Sequence, residues 1–308
     1  MIEIENLTIA FTKGKPVVDY LNLSVPDGKR TIVIGESGSG KSMMLSAILQ
    51  VLPPDAAVSG SIRLDGLELL NLTEKEMKKI RGARLAYIPQ GSANSLNPVL
   101  TVGFQVAEPI MEVRKKKREE AIRMAVDWMR RLQLGNEERL ASAYPHMLSG
   151  GMRQRVLIAM GAAAGAEVLL ADEPTKGLDK ERIERVQDML LRLEGKTLLC
   201  ISHDLRFSRE IADYISVMYA AEQVEYCTKE EFFRNPLHPY SQMLLAALPE
   251  NGMKVTAGFA PPHGKDQVGG CRFAARCPGC TEQCRRTAPP MITVGKRKVR
   301  CHRYADSG

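Results

Sequence analysis

One segment constrains this chain more than any other: residues 35–42 read GESGSGKS. A β-branched run at residues 31–34 precedes it, and residues 43–50 are compatible with a helix. Glycines at such a turn let successive N–H groups point inward at phosphate oxygens, and the positive end of the following helix adds to the attraction. The pattern therefore predicts a strand, a phosphate-binding loop (P-loop) and a helix that together bind a nucleoside triphosphate.

Two side chains at the end of the P-loop carry distinct chemistry. Lys41 supplies a mobile positive charge for the β- and γ-phosphates, and the Ser42 hydroxyl is placed to coordinate Mg²⁺. The other loop residues expected to contact the nucleotide are Gly35, Ser37, Gly38, Ser39 and Gly40. The alternative is a flexible glycine-rich turn without a ligand, and the strand before it and the helix after it argue against that interpretation.

A second site element follows the predicted strand at residues 168–171. Asp172 and Glu173 come directly after this apolar run. Asp172 is placed to hold Mg²⁺ through its water shell, while Glu173 can polarise the attacking water as general base. Many strands end in acidic turns, so this pair gains its significance from the P-loop in the same chain.

The composition is that of a globular chain without a membrane span. Apolar residues make up 44% and charged residues 26% of the sequence. The most apolar stretch, residues 156–170, is interrupted by two glycines and a glutamate, and it is shorter than the roughly 20 residues that a spanning helix needs. The acidic alternation at residues 1–5 is unlike a secretory signal, so we expect a cytoplasmic location. The net charge of +7 includes basic runs at residues 114–118 and 296–298, which we interpret as solvated surfaces and not as a nucleic-acid site.

Residues 144–155 read YPHMLSGGMRQR and closely resemble the signature segment of ATP-binding-cassette (ABC) ATPases. A Ser-Gly-Gly turn that opens an apolar helix makes a second anion-binding helix end, with Ser149 as N-cap and phosphate contact beside Gly150 and Gly151. The resemblance implies an α/β fold of the P-loop NTPase class, with a RecA-like core, an antiparallel β subdomain and a helical subdomain. It also implies that two subunits pair head to tail, so that the signature of one closes over ATP on the P-loop of the other.

Further elements of the family pattern appear in the expected order. Gln90, after the strand at residues 85–88, resembles the glutamine that contacts Mg²⁺ and couples the nucleotide to the helical subdomain. Asp179 resembles the residue of a loop that reaches across the dimer, and His203 resembles the histidine that senses the γ-phosphate. The resemblance thus implies catalytic roles for Lys41, Gln90, Glu173 and His203, together with ATP and Mg²⁺ as cofactors.

Two parts of the family pattern are matched less closely: the adenine-stacking aromatic residue and the loop that reaches across the dimer. Phe11 resembles the aromatic residue that stacks on adenine, with Tyr20 as the weaker alternative. Lys176 and Gly177 stand where related importers usually have pairs of small residues, a departure that affects the predicted contacts across the dimer.

The resemblance covers about residues 1–250, with the helical subdomain at about 103–166. Residues 235–240 and 244–249 resemble the end of the cassette in the importer subfamily for oligopeptides, dipeptides and nickel. This implies an ATP-hydrolysing subunit at the cytoplasmic face of the membrane. Its implied partners are two transmembrane permease subunits, a second, paralogous ATP-binding subunit and, indirectly, an extracytoplasmic substrate-binding protein. The alternative is a soluble ABC ATPase acting in iron–sulfur assembly or nucleic-acid handling.

The remaining residues, 251–308, form a predicted C-terminal extension that is rich in cysteine. A Gly/Pro-containing linker through residue 262 leads into it. The extension is too small and polar to hold its own apolar core, so ligation of a metal would stabilise it. The resemblance implies a [4Fe–4S] cluster on four cysteines: Cys271, Cys277, Cys284 and Cys301. Cys280 is an extra cysteine that makes zinc the alternative, because Cys277 and Cys280 have the spacing of a zinc half-site.

Overall fold

The computed structural model describes residues 1–11, 14, 16–91, 95–193, 195–253 and 269–305. The chain divides into two compact units, Met1–Asn71 with Ala212–Gly308, and Leu72–Ile211. Most of the predicted linker lies outside the described residues, and the domain boundary at residue 250 stays a prediction. No helix of the described ranges is long and apolar enough to cross a lipid bilayer.

The first unit begins with an antiparallel sheet in the order β2-β1-β4-β5. Its first elements are β1 (Ile2–Phe11), β2 (Val18–Val25), β3 (Arg30–Ile34), α1 (Lys41–Ile48), β4 (Ala56–Leu64) and β5 (Leu67–Glu68). One face of β1 is apolar, since Ile2, Ile4, Leu7 and Ile9 are all buried. A register shift between Ile4 and Leu7 compensates for the odd spacing of these two residues, so one face of β1 stays apolar.

The second unit contains three parallel strands covered by helices. Its elements are α2 (Glu74–Ile80), β6 (Leu85–Ile88), α3 (Val102–Arg114), α4 (Arg118–Arg131), α5 (Glu137–Ala141), α6 (Gly150–Ala163), β7 (Val168–Asp172), α7 (Lys180–Leu191), β8 (Thr197–Ile201) and α8 (Leu205–Ile211). The strands pair in the order β8-β7-β6, and every residue of β7 and β8 is buried. Burial on both faces explains why these two strands read as continuous apolar runs.

Local sequence signals account for the helices of this unit. A capping box begins α2, in which the side chains of Thr73 and Glu76 each bond the other's backbone N–H. In α4 the buried residues are Ala121, Ala125 and Met129, which follow one another at helical spacing, while Ile122 is only half-buried.

The chain then returns to the first unit. These elements are β9 (Tyr214–Tyr219), β10 (Glu222–Thr228), α9 (Lys229–Arg234), α10 (Pro239–Ala246), α11 (Glu282–Arg286), β11 (Met291–Val294) and β12 (Arg297–Arg300). The strands of this unit's second sheet lie in the order β11-β12-β10-β9-β3, and β3 and β9 are parallel. Phe273 packs edge-on against Tyr219 with ring centroids 5.2 Å apart, and both side chains are buried. The C-terminal segment is therefore part of the core beneath the P-loop.

Candidate nucleotide site

The P-loop joins β3 to α1 as predicted, and two of its glycines have no alternative. Gly35 has a φ of +154°, and a Cβ there would lie 2.1 Å from the Met218 carbonyl oxygen. Gly40 has a φ of +93°, and its Cβ would lie 2.1 Å from the Val17 carbonyl oxygen. Any side chain at either position would displace the backbone, so the close packing of this loop requires glycine.

Positive groups converge at the start of α1. Lys41 is 6% exposed, and its Nζ lies 2.8 Å from the carbonyl oxygens of both Gly35 and Glu36. The helix is capped by Gly40 without a side-chain hydrogen bond, and its first turn contains no acidic residue. The N–H groups of this turn and the Lys41 ammonium therefore suit an anion such as a triphosphate. Ser42, the predicted Mg²⁺ ligand, is exposed in the same turn.

In the second unit, three predicted site residues meet at one carboxylate oxygen. Glu173 Oε2 accepts a hydrogen bond of 3.3 Å from Gln90 Nε2 and lies 3.4 Å from His203 Nδ1. Gln90 follows β6, Glu173 follows β7 and His203 follows β8. Because the carboxyl ends of parallel strands lie at the same edge of a sheet, residues far apart in sequence come together here. The Glu173 side chain is only 13% exposed, whereas His203 is 56% exposed and Gln90 is also exposed, so the carboxylate is shielded while its two partners reach solvent.

The backbone of Glu173 is itself unusual. Its φ is +45°, in the left-handed region that residues other than glycine seldom adopt. Its N–H donates a 3.0 Å hydrogen bond to the Ile201 carbonyl at the end of β8, which holds the peptide in this conformation. Such a conformation costs roughly 1–3 kcal/mol and is typical of functional sites.

Sequence reasoning missed two neighbours of these carboxylates. Lys176 Nζ lies 3.4 Å from Glu173 Oε2, and the only signal for it is the departure from the small residues that the family pattern has there. The Tyr87 phenol hydrogen-bonds Asp172. Burial, together with this bond and the carboxylate charge, raises the pKa of Tyr87 to about 12. Tyr87 therefore stays neutral and can donate to the predicted Mg²⁺ ligand.

The signature segment forms the predicted helix end, and α6 begins at Gly150. Ser149 is its N-cap, and its Oγ accepts a 3.3 Å hydrogen bond from the Met152 N–H. The first turn has no acidic residue, so its positive end can receive an anion. A Cβ at Gly151 would lie 2.9 Å from Arg182 Cδ, so a side chain there would displace this arginine.

Other predicted contacts remain separate from these clusters. Asp179 caps α7, where its Oδ1 accepts a 3.0 Å hydrogen bond from the Arg182 N–H, and its role across a dimer stays a prediction. Phe11 ends β1 and is half-buried, whereas Tyr20 on β2 is 63% exposed. Adenine stacking by either residue stays a prediction.

Four of the five C-terminal cysteines surround one space. A cavity of about 260 Å³ is lined by Cys271, Cys277, Cys284 and Cys301, together with other residues of the first unit. Cys280 does not line it, and its thiol instead donates to the Thr281 carbonyl. Burial raises the pKa of Cys271 to about 11. Among the described residues, no three or more metal-ligating side chains are close enough to hold a single ion.

Comparisons with known proteins agree with this geometry. Residues 18–176 match the family model of the ABC transporter, and residues 224–284 match that of the oligopeptide/dipeptide transporter C-terminal region. The oligopeptide transport ATP-binding protein AppD of Bacillus subtilis is 35% identical, with 100% of this chain and 98% of the relative aligned. The dipeptide transport ATP-binding protein DppD of Haemophilus influenzae is 36% identical, over 98% of this chain and 95% of the relative. The dimeric structure of the ABC transporter cassette MJ0796 superposes with a TM-score of 0.66 at 29% identity, over 74% of this chain and 99% of that one.

Fold and site together define an ABC-type ATPase cassette, as predicted. Within that class, the chain belongs to the family of oligopeptide and dipeptide transport ATP-binding proteins. The predicted activity, ATP hydrolysis by a subunit of an ABC importer, is confirmed over the soluble alternative.

Proposed function

We propose that this chain hydrolyses ATP to drive the uptake of oligopeptides or dipeptides. The observation that carries the catalytic part is the Glu173 carboxylate, which Gln90 and His203 contact at the shared end of three strands. Support for the cargo comes from the relatives, whose names specify peptide transport. These names favour peptides over nickel, the other cargo of the subfamily.

Each site residue has its own role in the proposed hydrolysis of ATP. Lys41 and the N–H groups of the P-loop hold the β- and γ-phosphates. Ser42, Asp172 and Gln90 are the residues that would hold Mg²⁺, and the ion would neutralise developing charge. Glu173 accepts a proton from the water that attacks the γ-phosphorus, and the bond from that phosphorus to the β,γ-bridging oxygen breaks to release ADP and phosphate. His203 positions the Glu173 carboxylate and the γ-phosphate, and Phe11 stacks on the adenine.

A second subunit completes the site. The exposed Ser149 at the positive end of α6 is suited to the triphosphate held by a partner's P-loop. We propose that this partner is a paralogous ATP-binding subunit. The pair acts at the cytoplasmic face of the membrane on two permease subunits, with a substrate-binding protein on the other side and no nucleic acid involved. The ATPase domain comprises residues 1–250, with its helical subdomain at 103–166, and the cysteine-rich extension comprises residues 251–308.

The cysteine-lined cavity fits a cluster better than a single ion. Zinc requires all four thiolates at about 2.3 Å from one point, whereas a [4Fe–4S] cluster gives each thiolate its own iron and so separates the sulfurs. The four described thiols line one cavity of about 260 Å³. We therefore propose that Cys271, Cys277, Cys284 and Cys301 hold a [4Fe–4S] cluster that stabilises this segment.

Anaerobic affinity purification from native membranes tests this assignment. In mild detergent, we expect two permease subunits and a second ATPase to co-purify, with iron and sulfide in the same sample. Recovery of the chain with soluble partners alone would contradict the importer assignment, and zinc in place of iron would contradict the cluster.

A further inference from the structure

Every polar group of one P-loop residue, Glu36, has a partner within its own unit. Its carbonyl oxygen accepts from Lys41 Nζ at 2.8 Å. Its N–H donates to the Tyr240 hydroxyl at 3.0 Å, and its carboxylate receives Arg276 Nη1 at 2.9 Å and 3.2 Å. Tyr240 lies in the first turn of α10 and Arg276 belongs to the C-terminal segment, so two side chains beyond residue 238 hold this residue.

These two anchors are built into the core. Tyr240 is fully buried and Arg276 is 8% exposed. The Arg276 guanidinium lies over the rings of Tyr219 and Phe273, 5.6 Å and 5.8 Å from their centroids. It also donates to the Tyr219 hydroxyl at 3.3 Å. Such contacts fix the direction of the guanidinium and make it a rigid support for the loop.

The negative charge of Glu36 explains why its contact with Arg276 matters for ATP binding. A carboxylate in a loop that binds a triphosphate repels its ligand, and at short range in a partly buried site the repulsion is substantial. The salt bridge to Arg276 neutralises that charge and holds the carboxylate against the C-terminal segment. Loss of Arg276 would therefore release the Glu36 side chain and leave its negative charge without this arginine in the loop that holds the phosphates.

We propose that Arg276 and Tyr240 are positioning residues for the P-loop, and that the C-terminal segment thereby sets the affinity for ATP. Arg276 directly precedes Cys277, which lines the cysteine-lined cavity. Adjacent residues of one turn therefore support the P-loop and line that cavity.

Calorimetric titration of the full chain with ATP and Mg²⁺ tests the proposal. In Arg276→Gln we expect binding to weaken about tenfold or more, as for loss of a buried charge-assisted hydrogen bond. Glu36→Gln removes the charge itself and is the reference for the double variant. The double variant should return to within a few-fold of Glu36→Gln, because the exposed charge is gone. Arg276→Lys should recover part of the affinity, and Tyr240→Phe should weaken binding a few-fold.

Arg300→Gln is the matched control. Arg300 is half-buried in the same segment, but its guanidinium donates to the carbonyls of Gln223 and Pro289, which are not part of the P-loop. Arg300→Gln should lower the melting temperature of the chain without changing its affinity for ATP. Three results would each overturn the proposal. The first is wild-type affinity in Arg276→Gln, and the second is an equal loss of affinity in Arg276→Gln and Arg300→Gln. The third is additive effects of the Glu36 and Arg276 changes on ATP affinity. The proposal rests on ATP binding at this loop, so a wild-type chain that bound no ATP would contradict the proposed function itself.

Discussion

His203 Nδ1 lies 3.4 Å from Glu173 Oε2, which joins the ends of β8 and β7 through two side chains. The same oxygen accepts from Gln90 beyond β6, so one carboxylate connects three strand ends. A group held in this way is suited to respond to a nucleotide and to act as a base.

Replacing the proposed base should separate binding from hydrolysis. In Glu173→Gln the amide keeps the size of the carboxylate but cannot accept the proton of the attacking water. We expect kcat to fall by roughly 10²–10⁴-fold while ATP still binds. Single-turnover hydrolysis together with a binding titration measures both quantities, and Lys41→Ala, which should lose ATP binding, is the contrasting variant. Wild-type turnover in Glu173→Gln would exclude this residue as the base.

Lys176 should restrain the same carboxylate. Its ammonium is half-exposed and 3.4 Å from Glu173 Oε2, so the pair contributes about 1 kcal/mol or less. In Lys176→Ser we expect kcat to rise by up to about fivefold, because the carboxylate is released to accept a proton, with KM for ATP unchanged. Lys180→Ser is the control, since Lys180 pairs with Glu184 on its own helix. A change in KM, or the same change in both variants, would contradict this role.

The cysteines should differ in their effect on bound iron. Cys284 lines the cavity, whereas Cys280, a few residues earlier, does not. We expect Cys284→Ser to lose most of its iron and sulfide and Cys280→Ser to retain both, measured per chain after anaerobic purification. Equal iron contents in the two variants would contradict the proposed ligand set.

His238 should make the stability of the first unit depend on pH. Its ring is buried and accepts a hydrogen bond from the Tyr240 N–H, and burial, with the charges of Arg303 and Arg300, lowers its pKa to about 3. The unfolded chain takes up this proton below about pH 6.5 and the folded chain does not. The contribution of His238 to the free energy of unfolding is therefore fully present above that pH. The free energy of unfolding decreases by about 1.4 kcal/mol per pH unit as the pH falls toward 3.

The variant His238→Asn retains an acceptor at the N-cap of α10 but does not titrate in this range. Chemical denaturation between pH 7 and pH 5 should show a shallower dependence in the variant than in the wild type. Parallel curves for the two proteins would show that His238 does not titrate in this way.

Local patterns predicted the elements that hold the site. The apolar run before Gly35 and the helix-compatible residues after Lys41 indicate β3 and α1 without any tertiary information. The convergence of Gln90, Glu173 and His203 depends on the order of parallel strands. That order is not encoded locally, so the family resemblance was needed to group these residues.

Other features of the site have no local sequence signal. Arg276 and Glu36 are 240 residues apart, and a single charged residue has no periodicity that would identify its partner. The local sequence does not predict the positive φ of Glu173 either. Glutamate disfavours that conformation, and tertiary hydrogen bonds impose it.

The most direct test of the account is peptide-stimulated ATP hydrolysis by the complete complex in lipid nanodiscs. The complex would contain this chain, the second ATPase and both permease subunits, with peptide-loaded binding protein added from the opposite side. We expect the loaded binding protein to raise the ATPase rate severalfold and Glu173→Gln in this chain to abolish the increase. A rate that does not respond to peptide, or a response that persists in Glu173→Gln, would contradict the conclusion that this chain drives peptide uptake.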